Sequence, residues 1–163
     1  MNFVKLGATV CLAAFSWVAC AQTVEVQNAW ARATVQGQKA TGAFMNLKAK
    51  NGARLVSVTT PVAGVAEVHE MKMDNNIMTM RAVEGGLELP AGKAVELKPG
   101  GYHVMLMELK LPLQKDTTIP LTLVLKDAKG IESKTELKVP VLNQPPSGAA
   151  IPDHGGHGMN HGK

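Results

Sequence analysis

From His69 to Arg81 the chain reads HEMKMDNNIMTMR. On both sides of Asp74-Asn75-Asn76 the His and Met residues fall at alternate positions: His69, Met71 and Met73 before, Met78 and Met80 after. A period of two is that of a strand, whose alternate side chains share one face. The Asp-Asn-Asn break is turn chemistry. The stretch is therefore predicted to be a β-hairpin carrying its sulfur and imidazole side chains on one side. Two registers are open. With Asp74-Asn75 as the loop, Met71 pairs with Met78 and His69 with Met80. With Asn75-Asn76 as the loop, Met71 faces Met80, which is then diagonal to His69. Both registers put an imidazole and a thioether within reach of one ion.

Twenty-odd residues on, Gly100 to Leu109 reads GGYHVMLMEL, a second alternating run through His103, Met105 and Met107. Between His69 and Met107 lie two of the chain's five histidines and six of its nine methionines. A strand through His103 and Met105 beside the hairpin would complete a set of two nitrogens and two sulfurs. Thioether and imidazole together suit a soft univalent ion such as Cu(I), ahead of zinc. Taken singly, Met73, Met78 and Met107 read as packing residues, and Met45 more so. Two His-x-Met pairs in one short stretch are more than packing needs.

The rest of the chain reads as short strands between turn signals. They fall near Val24–Trp30, Thr41–Leu47, Arg54–Val58, Val65–Met73, Ile77–Val83, Tyr102–Leu109, Ile119–Leu125 and Ile131–Val139. Asn51-Gly52, Gly85-Gly86, Pro90-Ala91-Gly92 and Pro99-Gly100-Gly101 punctuate them. No window of a dozen residues keeps a helical apolar period. The expected class is all-β, a Greek-key β-sandwich or barrel.

The ends differ in composition from this domain. Met1–Lys5 is a short basic start, Leu6–Val18 is apolar, and Ala19-Cys20-Ala21 is a small-x-small cleavage pattern. Residues 1–21 are expected to be a signal peptide cut after Ala21. Lipoprotein processing at Cys20 is the alternative, with the bulky Trp17 against it. Cleavage after Ala21 removes both cysteines, Cys11 and Cys20. A soft-metal site in the mature domain, residues 22–143, must then use Met and His. Blue-copper electron transfer needs a thiolate and is disfavoured. Residues 144–163 begin with Gln144-Pro145-Pro146-Ser147-Gly148 and end in DHGGHGMNHGK. They are expected to be a disordered tail. His154, His157, Met159 and His161 make it a second candidate copper binder, with donors better suited to Cu(II).

Charge excludes little but supports little. The formal charge is +4, and +3 without Lys5 (16 Lys and Arg against 13 Asp and Glu). The basic residues are scattered and aromatics make up only 4% of the chain, so nucleic-acid binding finds no support. There is no Ser/His/Asp set, paired-carboxylate motif or phosphate-binding glycine loop, and the chain is not expected to be an enzyme. Glu67 and Glu70 lie on opposite faces of their strand and read as solvated residues or as supports of the site.

The pattern His69, ten residues, Met80, twenty-two residues, His103-x-Met105 resembles the periplasmic copper chaperones called PCuAC. Their second gap is about one residue shorter, a difference that a loop insertion between Arg81 and Tyr102 would absorb. Met71 matches an optional methionine of that family. Ala29-Trp30-Ala31-Arg32, Thr41-Gly42-Ala43-Phe44-Met45 and Leu89-Pro90-Ala91-Gly92 are similar too. The resemblance implies a cupredoxin-like barrel without a blue-copper site. It implies Cu(I) held by His69, Met80, His103 and Met105, and a periplasmic location. It also implies delivery to the CuA subunit of cytochrome c oxidase alongside a Sco-type protein. Copper sequestration without a dedicated recipient is the competing expectation.

Overall fold

The computed structural model describes residues 24–75 and 77–146. The expected signal peptide, residues 1–21, and the tail residues His154, His157, Met159 and His161 lie outside the described residues. The described chain is all strand, as expected. Its ten strands are β1 (Val24–Arg32), β2 (Ala40–Ala49), β3 (Ala53–Thr59), β4 (Ala63–Asp74), β5 (Ile77–Ala82), β6 (Leu87–Leu89), β7 (Ala94–Leu97), β8 (His103–Leu109), β9 (Thr118–Lys126) and β10 (Glu132–Leu142). Among the described residues no helix is long and apolar enough to cross a membrane.

The strands form one ladder in the order β5-β4-β8-β2-β1-β10-β9-β3-β6. β2 carries β8 along Ala40–Ala43 and β7 along Met45–Lys48. A short parallel pairing, Ala31↔Val141 and Arg32↔Leu142, joins β1 to β10. The layer β5-β4-β8-β2-β1 thus continues into the layer β10-β9-β3-β6. Between them, Val68, Val104 and Leu106 of the first meet Leu55, Leu121, Leu123 and Leu125 of the second in a single apolar core. β9 shows the cause most plainly: Ile119, Leu121, Leu123 and Leu125 alternate with outward residues, so one face is buried.

Two elements depart from the sequence expectation. β6 and β7 occupy a stretch that reads only as turns and connections, because three and four residues are too few to show a period. Gly86 lets β6 approach β3. Its φ is +88°, and a Cβ there would lie 2.6 Å from the Leu55 carbonyl oxygen.

The hairpin takes the second of the two registers. Met71 pairs with Met80, Met73 with Met78 and Asp74 with Ile77. Asn75 holds a left-handed φ of 47°, a conformation Asn tolerates better than most residues. Met45 is buried in the core as expected. Met73 and Met78 are not packing residues, and that expectation is corrected: they are 59% and 47% exposed. The whole of β5 and the end of β4 from Lys72 to Asp74 are exposed. Alternation marks which residues share a face, but not whether a second layer covers it.

Candidate metal centre

β4 presents Glu67, His69, Met71 and Met73 on one face, since they are two residues apart. Its neighbour β8 pairs His103 with His69, Met105 with Glu67 and Met107 with Val65. On the other side β5 sets Met80 opposite Met71. Opposed residues share a face, so the two histidines and Met71, Met80 and Met105 all lie on the outer face of this layer. The inward positions between them, Val68, Val104 and Leu106, belong to the core.

The two imidazoles are neighbours, with ring centroids 6.1 Å apart. Their hydrogen bonds set which nitrogens are free. His103 Nδ1 lies 3.0 Å from the Gly101 carbonyl oxygen, which can only accept. Nδ1 therefore carries the proton, and Nε2 keeps its lone pair. His69 Nε2 lies 3.2 Å from the Glu67 carboxylate, so it is the donor there. His69 Nδ1 is left as an acceptor. It is the one buried side-chain nitrogen or oxygen without a hydrogen-bond partner among the described residues. A buried acceptor left unpaired costs about 1–3 kcal/mol, unless a ligand takes it. A soft cation meets that need. The donors on hand are thioethers and imidazoles, and no group of three His, Cys, Asp or Glu that could hold a metal occurs among the described residues.

The sulfurs lie on either side of this pair. Met71 and Met80 form the next row toward the hairpin tip, and Met105 the next row away from it. Strand spacing puts Met80 and Met105 roughly 15 Å apart at Cα. Both sulfurs reach one ion near the imidazoles only if both side chains extend inward and the layer curls. Met80, 48% exposed on an edge strand, has the room to do so.

A wall of rings backs His103, and sequence reasoning missed it. Phe44 lies with its ring centroid 6.4 Å from that of His103, and Trp30 lies 4.7 Å behind Phe44. The Arg32 guanidinium sits 5.9 Å from the Trp30 ring and 5.7 Å from the Phe44 ring. Gly42, opposite Met105, makes room for Phe44: a Cβ there would meet the ring at 2.7 Å. The Gly42-x-Phe44 alternation was visible in the sequence, but the pairing of β2 with β8 was not. His103 is consequently only 7% exposed, held on one side by rings and open toward His69.

Glu67 holds the His69 ring through Nε2, while Glu70 faces away and pairs with Arg81. Carboxylates that orient a ligating histidine typically contribute about 10–100-fold to metal affinity. Glu67→Ala is expected to weaken Cu(I) binding by about tenfold in competition with a chromophoric Cu(I) chelator. Glu67→Gln, which keeps an acceptor, should recover most of the loss. Equal affinities in all three proteins would remove Glu67 from the site.

Comparison with known proteins gives a consistent picture. The family model described as "Putative lipoprotein LpqE-like" matches residues 24–141. A protein of Leifsonia xyli subsp. xyli named "Putative lipoprotein Lxx21020" is 35% identical over 147 residues, 85% of this chain and 84% of that one. Among solved structures, the Cu(I) form of DR1885 from Deinococcus radiodurans is 30% identical, with a TM-score of 0.57 over 77% of this chain and 82% of that one. Its apo form is 29% identical, with a TM-score of 0.53 over 86% and 94%. The copper-bound PCuAC domain from PmoF2 is alike in fold, with 20% identity and a TM-score of 0.59 over 74% and 93%.

Proposed function

This chain belongs to the LpqE-like family, a family of PCuAC type, and from that premise we propose that it is a copper carrier working outside the cytoplasm. It takes up Cu(I) at His69, Met80, His103 and Met105, with Met71 as an additional donor, and hands the ion to an apo-protein. The observation that carries this reading is the buried, unpaired Nδ1 of His69, on a ring whose centroid lies 6.1 Å from that of His103, a histidine whose own Nδ1 is engaged by Gly101 O. Copper-loaded relatives of the same fold support it.

The donor chemistry explains why such a site carries rather than keeps. Thioethers are uncharged and stay so at any working pH. Without a thiolate, no donor brings a negative charge to the ion, and Cu(I) is held through soft but neutral contacts. A recipient offering thiolates can take it. The CuA centre of cytochrome c oxidase, with a Sco-type protein alongside, is the recipient we propose from the family. The C-terminal His154, His157, Met159 and His161 are proposed to bind Cu(II) separately.

We place the protein in the periplasm, exported by residues 1–21, with residues 22–143 as the copper domain and 144–163 as the tail. The lipoprotein names of the family and of the Leifsonia protein favour lipid attachment at Cys20 as the rival maturation. The intact mass of the mature protein separates the two, since cleavage after Ala21 leaves an unmodified Gln22 terminus.

The function is tested by titrating the mature protein with Cu(I) and Cu(II), with and without residues 144–163. One tightly held Cu(I) should survive removal of the tail, and Cu(II) binding should be lost with it. A protein that binds neither oxidation state would be a structural β-domain instead.

A further inference from the structure

Resting on the carrier reading above, we propose that Met73 and Met78 form a second, weaker Cu(I) site at the hairpin tip, one step outside the His69/His103 pair. The two residues are directly opposed across β4 and β5. They lie on the same face as Met71, Met80, His69 and His103: within β4 and within β5 these residues are two positions apart, and across the ladder Met73 opposes Met78, Met71 opposes Met80 and His69 opposes His103.

The hairpin's hydrogen bonding brings the two sulfurs together. Val83 N donates to Val68 O at 2.9 Å, which marks 68/83 as a hydrogen-bonded position. Pairs alternate in type along an antiparallel ladder, so 70/81, 72/79 and 74/77 are hydrogen-bonded positions too. Met71/Met80 and Met73/Met78 then fall at the non-hydrogen-bonded positions. There opposed Cα atoms are only about 4.5 Å apart and side chains lie closest.

Packing gives no reason for these sulfurs. At 59% and 47% exposed, Met73 and Met78 leave much of their apolar surface in water. Leu or Ile would do as well for packing, and Lys or Thr better for an edge strand. What methionine adds is a soft donor. Two thioethers alone make a poorer site than two imidazoles with thioethers, so the tip pair should fill after the inner set. Its row stands about 7 Å from Met71/Met80, and that row an equal step from His69. The outer face thus offers Cu(I) a graded path of donors, from solvent to the half-buried His69 and the buried His103.

The test is NMR of the full mature chain with its methionine methyls labelled, titrated with Cu(I) under reducing, oxygen-free conditions. The first equivalent should move the Met80 and Met105 methyls and the imidazole signals of His69 and His103. Further equivalents should move the Met73 and Met78 methyls. The double variant Met73→Leu/Met78→Leu, conservative in volume at exposed positions, should bind one Cu(I) fewer per chain. Its first-equivalent affinity should stay within about threefold of the parent, a change below 1 kcal/mol. If Met73 and Met78 stay unmoved at excess Cu(I), or if the double variant binds as many ions as the parent, the second site is overturned. If instead the imidazoles do not respond to the first equivalent, it is the carrier reading that fails.

Discussion

His103→Ala is expected to lower Cu(I) affinity by at least about a hundredfold. Loss of a group that merely orients a ligand typically costs about 10–100-fold, so loss of the ligand belongs at or beyond the top of that range. The removed nitrogen is no generic donor: its Nδ1 proton is committed to Gly101 O and its ring is seated against Phe44. β8 carries no other imidazole. Because His103 is buried, the variant also needs a control for folding, read from its circular dichroism and thermal midpoint. Met80→Leu supplies an independent check. That position is half exposed, and the swap conserves volume while deleting the sulfur. It should weaken Cu(I) by about tenfold with no change in stability, since Met71 opposite can supply a sulfur in its place. Unchanged affinity in both variants, measured by competition with a Cu(I) chelator, would remove the site.

The neighbouring residue should behave in the opposite way. Leu106 follows Met105 on β8 but points inward, fully buried among the core leucines and valines. Leu106→Ala leaves a cavity and is expected to cost about 2–5 kcal/mol of stability. For a domain of this size that corresponds to a fall in melting temperature of roughly 10 °C or more. At a temperature where the variant is still folded, its Cu(I) affinity should remain within a few-fold of the parent. All the proposed donors lie on the other side of the layer. Thermal unfolding and chelator competition on the same sample check both halves. A change in copper binding as large as that of His103→Ala would mean that the two faces of β8 are not independent.

This division explains what the sequence disclosed and what it withheld. The hairpin was legible because His69, Met71, Met73, Met78 and Met80 keep strict alternation about a polar turn. Its register was narrowed to two choices, and the left-handed Asn75 belongs to the one adopted. The eight longer strands were legible for the same reason. β6 and β7 were not, since Leu87–Leu89 and Ala94–Leu97 are shorter than the period that would reveal them. The pairing of His69 with His103 depends on β4 meeting β8 across more than thirty residues, and alternation carries no such information. For the same reason the Trp30–Phe44–Arg32 wall stayed hidden, although Trp30 and Phe44 lie in strands the alternation marks and Arg32 follows just beyond the first. The exposure of Met73 and Met78 was misread because a sulfur on a strand looks alike whether a layer covers it or water does.

X-ray absorption at the copper edge of the protein loaded with one equivalent of Cu(I) reads the coordination shell directly. Two imidazole nitrogens with thioether sulfur at roughly 2.3 Å is the expected shell, with the second nitrogen lost in His103→Ala. A spectrum with no sulfur scatterer, or one that His103→Ala leaves unaltered, would contradict the account.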